Sequence, residues 1–182
     1  MSASAAVDLS TPSVCGVVFD EACIQNRVGE LGRAISADFA DRNLILIGIL
    51  KGAQPFACDL ARALSIPASL DFATISRYRR APDLKEVRIT HDVESDLSGK
   101  DVLIVEDIVD TGLTLHYLVG EFRCRAPRSI SLCSLLDRPG LRLPDLRLDY
   151  VGFEVSEEFL VGYGLDFRER YRNLPFIARL GP

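Results

Sequence analysis

The stretch VLIVEDIVDTGLT, Val102 to Thr114, sets an apolar run ahead of three carboxylates, Glu106, Asp107 and Asp110, and follows them with two threonines flanking a glycine. Carboxylates in such a place can accept hydrogen bonds from sugar hydroxyls, hold a divalent ion, or take a proton as general base. Consecutive strand residues point to opposite faces, so Glu106 and Asp107 each need a partner of their own. The DTGLT that follows, Asp110 to Thr114, offers backbone amides and hydroxyls at a helix start, a combination suited to an anion. An anion cradle beside three negative charges is consistent if the ligand carries both a phosphate and hydroxyls. The stretch is not a P-loop, because the acids precede the cradle and no G-x-x-x-x-G-K-[ST] is present. An exposed strand exit with a helix-capping aspartate would account for Asp110 alone, but not for the whole stretch.

The elements that must position these residues follow from hydrophobic spacing. Ile24, Val28, Leu31, Ile35 and Phe39 keep one apolar stripe and predict a helix from about Asp20 to Phe39. LILIGIL, Leu44 to Leu50, has no polar alternation and reads as a strand covered on both faces. Pro55 opens a second helix carrying Phe56, Leu60 and Leu64. LDFATI, Leu70 to Ile75, predicts another strand, and the charged SRYRRAPDLKE after it predicts a long exposed loop, with 86–92 pairing back as an edge ribbon. VLIVED is a strand, Leu113 to Phe122 a helix, and SISLCSLLD, Ser129 to Asp137, a further buried strand. Strands alternating with helices predict an α/β fold with a twisted parallel sheet flanked by helices. In such sheets ligands bind at the carboxyl ends of strands, where Glu106 and Asp107 sit.

At 182 residues and 48% hydrophobic content the chain can bury one full core. A net charge of -5 argues against a surface tuned throughout to nucleic acid or anionic lipid. Cys15, Cys23, Cys58, Cys124 and Cys133 are odd in number and scattered, which predicts reduced thiols and neither a disulfide framework nor a zinc site. The N-terminal segment lacks a basic leader and no stretch reaches membrane-span length, so a cytoplasmic protein is expected, with residues 1–15 mobile. His91 and His116 stand alone and are assigned to structure.

VLIVEDIVDTGLT strongly resembles the phosphoribosyl pyrophosphate signature of the type I phosphoribosyltransferases. ILKGAQPF (Ile49 to Phe56), LLDRP (Leu135 to Pro139) and Tyr150 to Ile177 are similar to the hypoxanthine-guanine branch of that family. The resemblance implies a single phosphoribosyltransferase domain over 16–182, with a core of about 36–145 and a hood from about 16–35 and 146–182. It implies purine salvage: transfer of ribose 5-phosphate from phosphoribosyl pyrophosphate to N9 of hypoxanthine or guanine, giving IMP or GMP and pyrophosphate. Magnesium is the implied cofactor, and a homodimer or homotetramer the implied assembly.

Residue by residue, the resemblance gives Glu106 and Asp107 the ribose hydroxyls and Asp110 the purine N7 proton. It gives Asp110, Thr111, Gly112, Leu113 and Thr114 the 5-phosphate. Lys51 and Gly52 match the pyrophosphate loop, where a strained peptide before the lysine turns an amide toward the ligand, and Arg172 matches a further pyrophosphate contact. Ile108, Arg138, Phe159, Leu160 and Asp166 match the purine pocket, with Phe159 stacking on the base; Asp166, Glu106 and Asp107 are the candidate metal ligands. Read without the family, Lys51 could be a solvated lysine, Arg172 ordinary surface charge beside Arg168 and Arg170, and Phe159 a core aromatic.

Two positions depart from the family. Arg138 stands where the family usually has a lysine donating to the purine O6, and the two cations are not interchangeable. Arg77 precedes Tyr78 in the expected mobile loop, where a small residue is usual, and Arg79 and Arg80 follow. One rival reading is a nucleotide-sensing regulator that binds nucleic acid through Arg123, Arg125 and Arg128. Another, a receiver-like signalling domain, would split its acids between two strands and leaves the cradle unexplained.

Overall fold

LILIGIL becomes the strand β2, and all but its last residue is buried. It lies near the middle of the sheet because only a strand covered on both faces makes such an apolar run favourable. The computed structural model describes residues 13–81 and 84–181, the side chains of 77–81 and 84–86 excepted. In chain order the elements are β1 (Val14–Phe19), α1 (Glu21–Asp38), β2 (Leu44–Leu50), α2 (Gln54–Ala63), β3 (Ala68–Ala81), β4 (Leu84–His91), β5 (Asp101–Val109), α3 (Leu113–Arg123), β6 (Ser129–Asp137), β7 (Tyr150–Glu154), β8 (Leu160–Val161) and β9 (Ile177–Leu180).

Six strands form one sheet in the order β4-β3-β2-β5-β6-β7. Every neighbouring pair is parallel except β3 and β4, which form an antiparallel ribbon at the edge. Alternate residues of the central strands serve two cores. Leu44, Leu46, Leu103 and Val105 pack under α1 and α2 with Ile24, Ile35, Phe56 and Leu60. Ile45, Ile47, Val102 and Ile104 pack under α3 with Leu115, Leu118 and Phe122. Helices thus cover both faces, as the alternating pattern predicts. Asp20 caps α1, its carboxylate accepting from the Cys23 amide at 2.7 Å. Among the described residues no helix is long and apolar enough to cross a membrane.

Four features depart from the sequence reading. The segment expected as a long loop after Ile75 is a ribbon: β3 continues to Ala81 and pairs with β4, with Tyr78 opposite Glu86. A two-stranded extension beyond the sheet has no second layer to pack on, so it lacks the apolar alternation that marks a strand. β5 runs through the acidic residues to Val109, held by β6 as far as the pairing of Val109 with Asp137. A second, three-stranded sheet, β1-β9-β8, was not anticipated; its strands are short, and β1 is mostly exposed. β7, beyond the expected core boundary, joins the large sheet beside β6. The expected mobile N-terminus lies outside the described residues up to residue 12, and so do the side chains of Arg77, Tyr78, Arg79 and Arg80.

Candidate active site

The site forms where β2 and β5, adjacent and parallel, release their chains side by side. From β2 the chain turns through Lys51 and Gly52 into α2; from β5 it turns through Asp110 to Gly112 into α3. The peptide bond between Leu50 and Lys51 is cis. A Cβ added at Gly52 would lie 1.8 Å from Asp107 Oδ2, so the absence of a side chain lets the β2 turn close onto the β5 carboxylate. Asp107 Oδ1 accepts from the amide of Ile108 at 2.9 Å. Burial pushes the Asp107 carboxyl above its ordinary value, despite hydrogen bonds from Glu106 and the backbone and the nearby charge of Arg172.

Glu106, Ile108, Asp110, Gly112 and Thr114 line one recess at the start of α3. Gly112 takes φ 76°, a left-handed conformation that lets the chain leave the strand and enter the helix at once. The first turn of α3 directs its amides toward this recess. The cradle is backed by the segment after β6: the Leu143 amide donates to Thr111 O at 3.1 Å, and Leu146 packs so closely on Gly112 that a Cβ there would be 2.2 Å from Leu146 Cδ2.

At the β2 turn, Lys51 lines a second recess with Arg172, Gln54, Pro55, Cys58, Gly164 and Asn173. The charges of Lys51 and Arg172 are held by acids. Lys51 Nζ lies 3.1 Å from Glu169 Oε2, and Arg172 Nη2 lies 2.7 Å from Asp166 Oδ1 and 3.5 Å from Glu169 Oε1. The hydrogen bond and charge of Lys51, followed by the charge of Arg172, hold the Glu169 carboxyl below its ordinary value. Arg172 Nη1 donates to Gly164 O at 2.7 Å, fixing the guanidinium beside the turn.

The third part lies at the β6 end. Arg138 Nη1 donates to Asp110 Oδ1 at 2.6 Å, Nε donates to Ser156 O at 3.1 Å, and Nη2 donates to Glu158 O. Phe159 follows, 54% exposed, with its ring edge-on to Phe167 at 5.7 Å. It is therefore not a core aromatic. Leu160 is buried at the start of β8.

A model of the "Phosphoribosyl transferase domain" family matches residues 20–168, most of the chain. This chain belongs to the phosphoribosyltransferase family. Among its relatives is the hypoxanthine-guanine phosphoribosyltransferase of Bacillus subtilis, 46% identical over 167 residues, covering 91% of this chain and 93% of that one. The hypoxanthine phosphoribosyltransferase of Salmonella typhimurium is 41% identical over 167 residues, covering 90% and 94%. A crystal structure of a hypoxanthine-guanine phosphoribosyltransferase from Bacillus anthracis superposes with a TM-score of 0.87 at 39% identity, covering 93% of this chain and 99% of that one.

In this phosphoribosyltransferase the expected residues fall into three groups around the ends of β2, β5 and β6. Glu106, Ile108, Asp110, Gly112 and Thr114 share the cradle; Lys51, Arg172 and Asp166 share the charged cluster; Arg138 joins Asp110 to the backbone carrying Phe159. Glu169 was missed: the segment 165–172 is a series of turns and not a helix, so its spacing of three from Asp166 and from Arg172 carried no readable signal for ion pairs. The support from Leu143, Leu146, Ser156 and Glu158 was also missed. Those contacts use backbone atoms and packing across long sequence separations, which residue type does not report.

Proposed function

We propose that the chain is a purine-salvage enzyme that transfers 5-phosphoribosyl from phosphoribosyl pyrophosphate to N9 of hypoxanthine or guanine, giving IMP or GMP and pyrophosphate. The observation that carries this reading is the closure of the Gly52 turn on Asp107, which sets a cationic loop and a sugar-binding carboxylate against each other at adjacent strand ends. The substrate's 5-phosphate takes the amides and hydroxyls of Thr111, Gly112, Leu113 and Thr114, with Asp110 at the cradle's entrance. Glu106 and Asp107 accept from the ribose hydroxyls. Lys51, the Gly52 amide and Arg172 take the pyrophosphate, displacing Glu169 and Asp166 from the two cations. The base lies on Phe159, flanked by Ile108 and Leu160.

In the reaction, N9 forms a bond to C1′ as the bond from C1′ to the pyrophosphate oxygen breaks, and the proton on N7 passes to Asp110. A carboxylate there also stabilises positive charge developing across the sugar and base. Closure of the β3–β4 ribbon, which carries Arg77 and Tyr78, would shield the transition state from water.

The donor set fits magnesium carried in with the pyrophosphate. Magnesium usually takes one or two carboxylates together with substrate phosphates rather than a closed protein cage. Glu106, Asp107 and Asp166 would hold it, and Asp166 becomes available when Arg172 turns to the pyrophosphate. When bound, the ion neutralises the departing pyrophosphate.

The nucleic-acid regulator is not favoured. Arg125 pairs with Asp92 at 2.7 Å and Arg128 pairs with the buried Asp101, so two of the three arginines of the expected basic patch are engaged internally. Five free thiols suit a reducing, cytoplasmic setting, and assembly as a homodimer or homotetramer completes the reading.

The test is a set of initial rates with hypoxanthine, guanine, xanthine and adenine, each with phosphoribosyl pyrophosphate and magnesium. Turnover of 6-oxopurines with little or none for adenine is expected. Folded, magnesium-replete protein that turns over no base would overturn the reading.

A further inference from the structure

We propose that Arg138 is a positioning residue that sets the width of the purine slot, tying Asp110 at the end of β5 to the backbone that carries Phe159, and that it does not select the base through O6. The inference rests on the purine-salvage reading above. Its basis is how the donors of one guanidinium are used. All three nitrogens are engaged: Nη1 with Asp110, Nε with Ser156 O and Nη2 with Glu158 O. The Arg138 amide is fixed as well, donating to Val109 O at 3.0 Å, one residue before Asp110.

The segment between β7 and β8 explains why this matters. The Val155 amide donates to Asp137 O at 2.9 Å, and Phe159 O accepts from the Leu180 amide at 3.0 Å. Between these anchors the chain belongs to neither sheet, and the carbonyls of Ser156 and Glu158 are held by Arg138. On its other side Glu158 is held through its own carboxylate, which accepts from Arg179 Nε at 2.6 Å. Phe159 therefore sits at the end of a short segment that the planar fork of Arg138 ties directly to Asp110.

Arg138 is also the more buried partner, its side chain 15% exposed against 46% for Asp110. Swinging the fork to follow an incoming O6 would strip a donor from two carbonyls and a carboxylate in return for one ketone oxygen. The two N–H groups left over, one each on Nη1 and Nη2, are fixed in direction by those same three bonds. Asp110 instead keeps one oxygen on Arg138 and presents the other to N7. A lysine at this position has one nitrogen at the end of a flexible stem and cannot span all three acceptors in the same way.

The experiment compares wild type with Arg138→Met and Arg138→Lys in two measurements. One is amide hydrogen exchange over 156–160 in the unliganded protein. The other is the binding of IMP and of purine riboside 5′-monophosphate, which lacks O6. The brace predicts exchange over 156–160 faster by about tenfold or more in both variants, because the carbonyls of Ser156 and Glu158 lose the fork that holds them and, of these side-chain ties, only the Glu158–Arg179 bond is left. It also predicts that both nucleotides weaken by the same factor, about tenfold or more, as for loss of one charge-assisted hydrogen bond. Weakening of IMP with purine riboside 5′-monophosphate left within about twofold of wild type would make Arg138 an O6 donor and overturn the proposal. So would unchanged exchange over 156–160. If wild type bound neither nucleotide the salvage reading would fall, while the exchange measurement, which needs no ligand, would still decide whether the brace exists.

Discussion

Replacing Gly52 by alanine tests the closure on which the active site depends. The added Cβ would stand 1.8 Å from Asp107 Oδ2 and 2.6 Å from its Cγ. Non-bonded heavy atoms settle near about 3.5 Å, so the turn and the carboxylate must part by roughly 1.7 Å. Neither side yields freely: Asp107 Oδ1 is bound to the Ile108 amide at 2.9 Å, and the turn leads directly into α2, whose Phe56 and Leu60 are fully buried. A misplacement of about 1 Å in a positioning group costs on the order of 100-fold in rate, or about 2.7 kcal/mol of transition-state stabilisation. Gly52→Ala is therefore expected to lower kcat/KM for phosphoribosyl pyrophosphate by about 100-fold or more, with overpacking costing about 1–3 kcal/mol of stability. Steady-state kinetics with the pyrophosphate substrate varied, paired with urea unfolding, measure both. Gly120→Ala is the control: it lies within α3 with no heavy atom within 4 Å of its added Cβ, so activity should hold and stability should rise by about 0.5–1 kcal/mol. A Gly52→Ala enzyme within about threefold of wild type would refute the claim that the β2 turn and Asp107 act as one unit.

Further outcomes follow from the charged groups. Glu169→Gln removes the carboxylate that occupies Lys51 and Arg172; the Lys51–Glu169 pair is 65% exposed on both sides, so stability should change little, while KM for phosphoribosyl pyrophosphate falls severalfold, read by initial rates. Asp107 has a raised pKa, so its contribution to stability is present below about 3.8 and lost as the pH rises through the higher folded value. Asp107→Asn removes that loss and should melt higher than wild type by a margin that widens as the pH rises above about 3.8, though less active; a margin that does not change with pH would contradict the assignment. Asp101 is fully buried and accepts from Arg128 and from Ser129 Oγ at 2.6 Å; burial raises its pKa, but these bonds outweigh it and hold the group low. Its contribution is thus present above about 3.8 and lost as the pH falls through the lower folded value. Asp101→Asn should cost on the order of 2–3 kcal/mol in urea unfolding at neutral pH.

Much of the large sheet was legible because its signals are local. LILIGIL and SISLCSLLD are apolar runs that only a two-sided core accommodates, and the stripe from Ile24 to Phe39 has no other consistent geometry. The cradle was legible for a similar reason, since a strand, three acids and DTGLT fall within thirteen consecutive residues. What was not legible depends on partners far along the chain. β1 is exposed and becomes a strand only because β9, more than 150 residues later, pairs with it. Nothing in LLDRP indicates that Arg138 reaches Ser156 and Glu158, because its acceptors there are carbonyl oxygens, which every residue has. The ribbon after Ile75 was read as a loop because charged residues on an unpacked extension lose the period that marks strands.

The central claim is that Asp110 takes the N7 proton as the bond to C1′ forms. The most direct test is a single-turnover measurement of IMP formation from hypoxanthine and phosphoribosyl pyrophosphate, with wild type and Asp110→Asn each in excess over substrate. The account predicts that the asparagine variant, with native melting behaviour and retained pyrophosphate-substrate binding, forms IMP about 100- to 10,000-fold more slowly. A variant that forms IMP at the wild-type rate would contradict it and remove Asp110 from the chemistry.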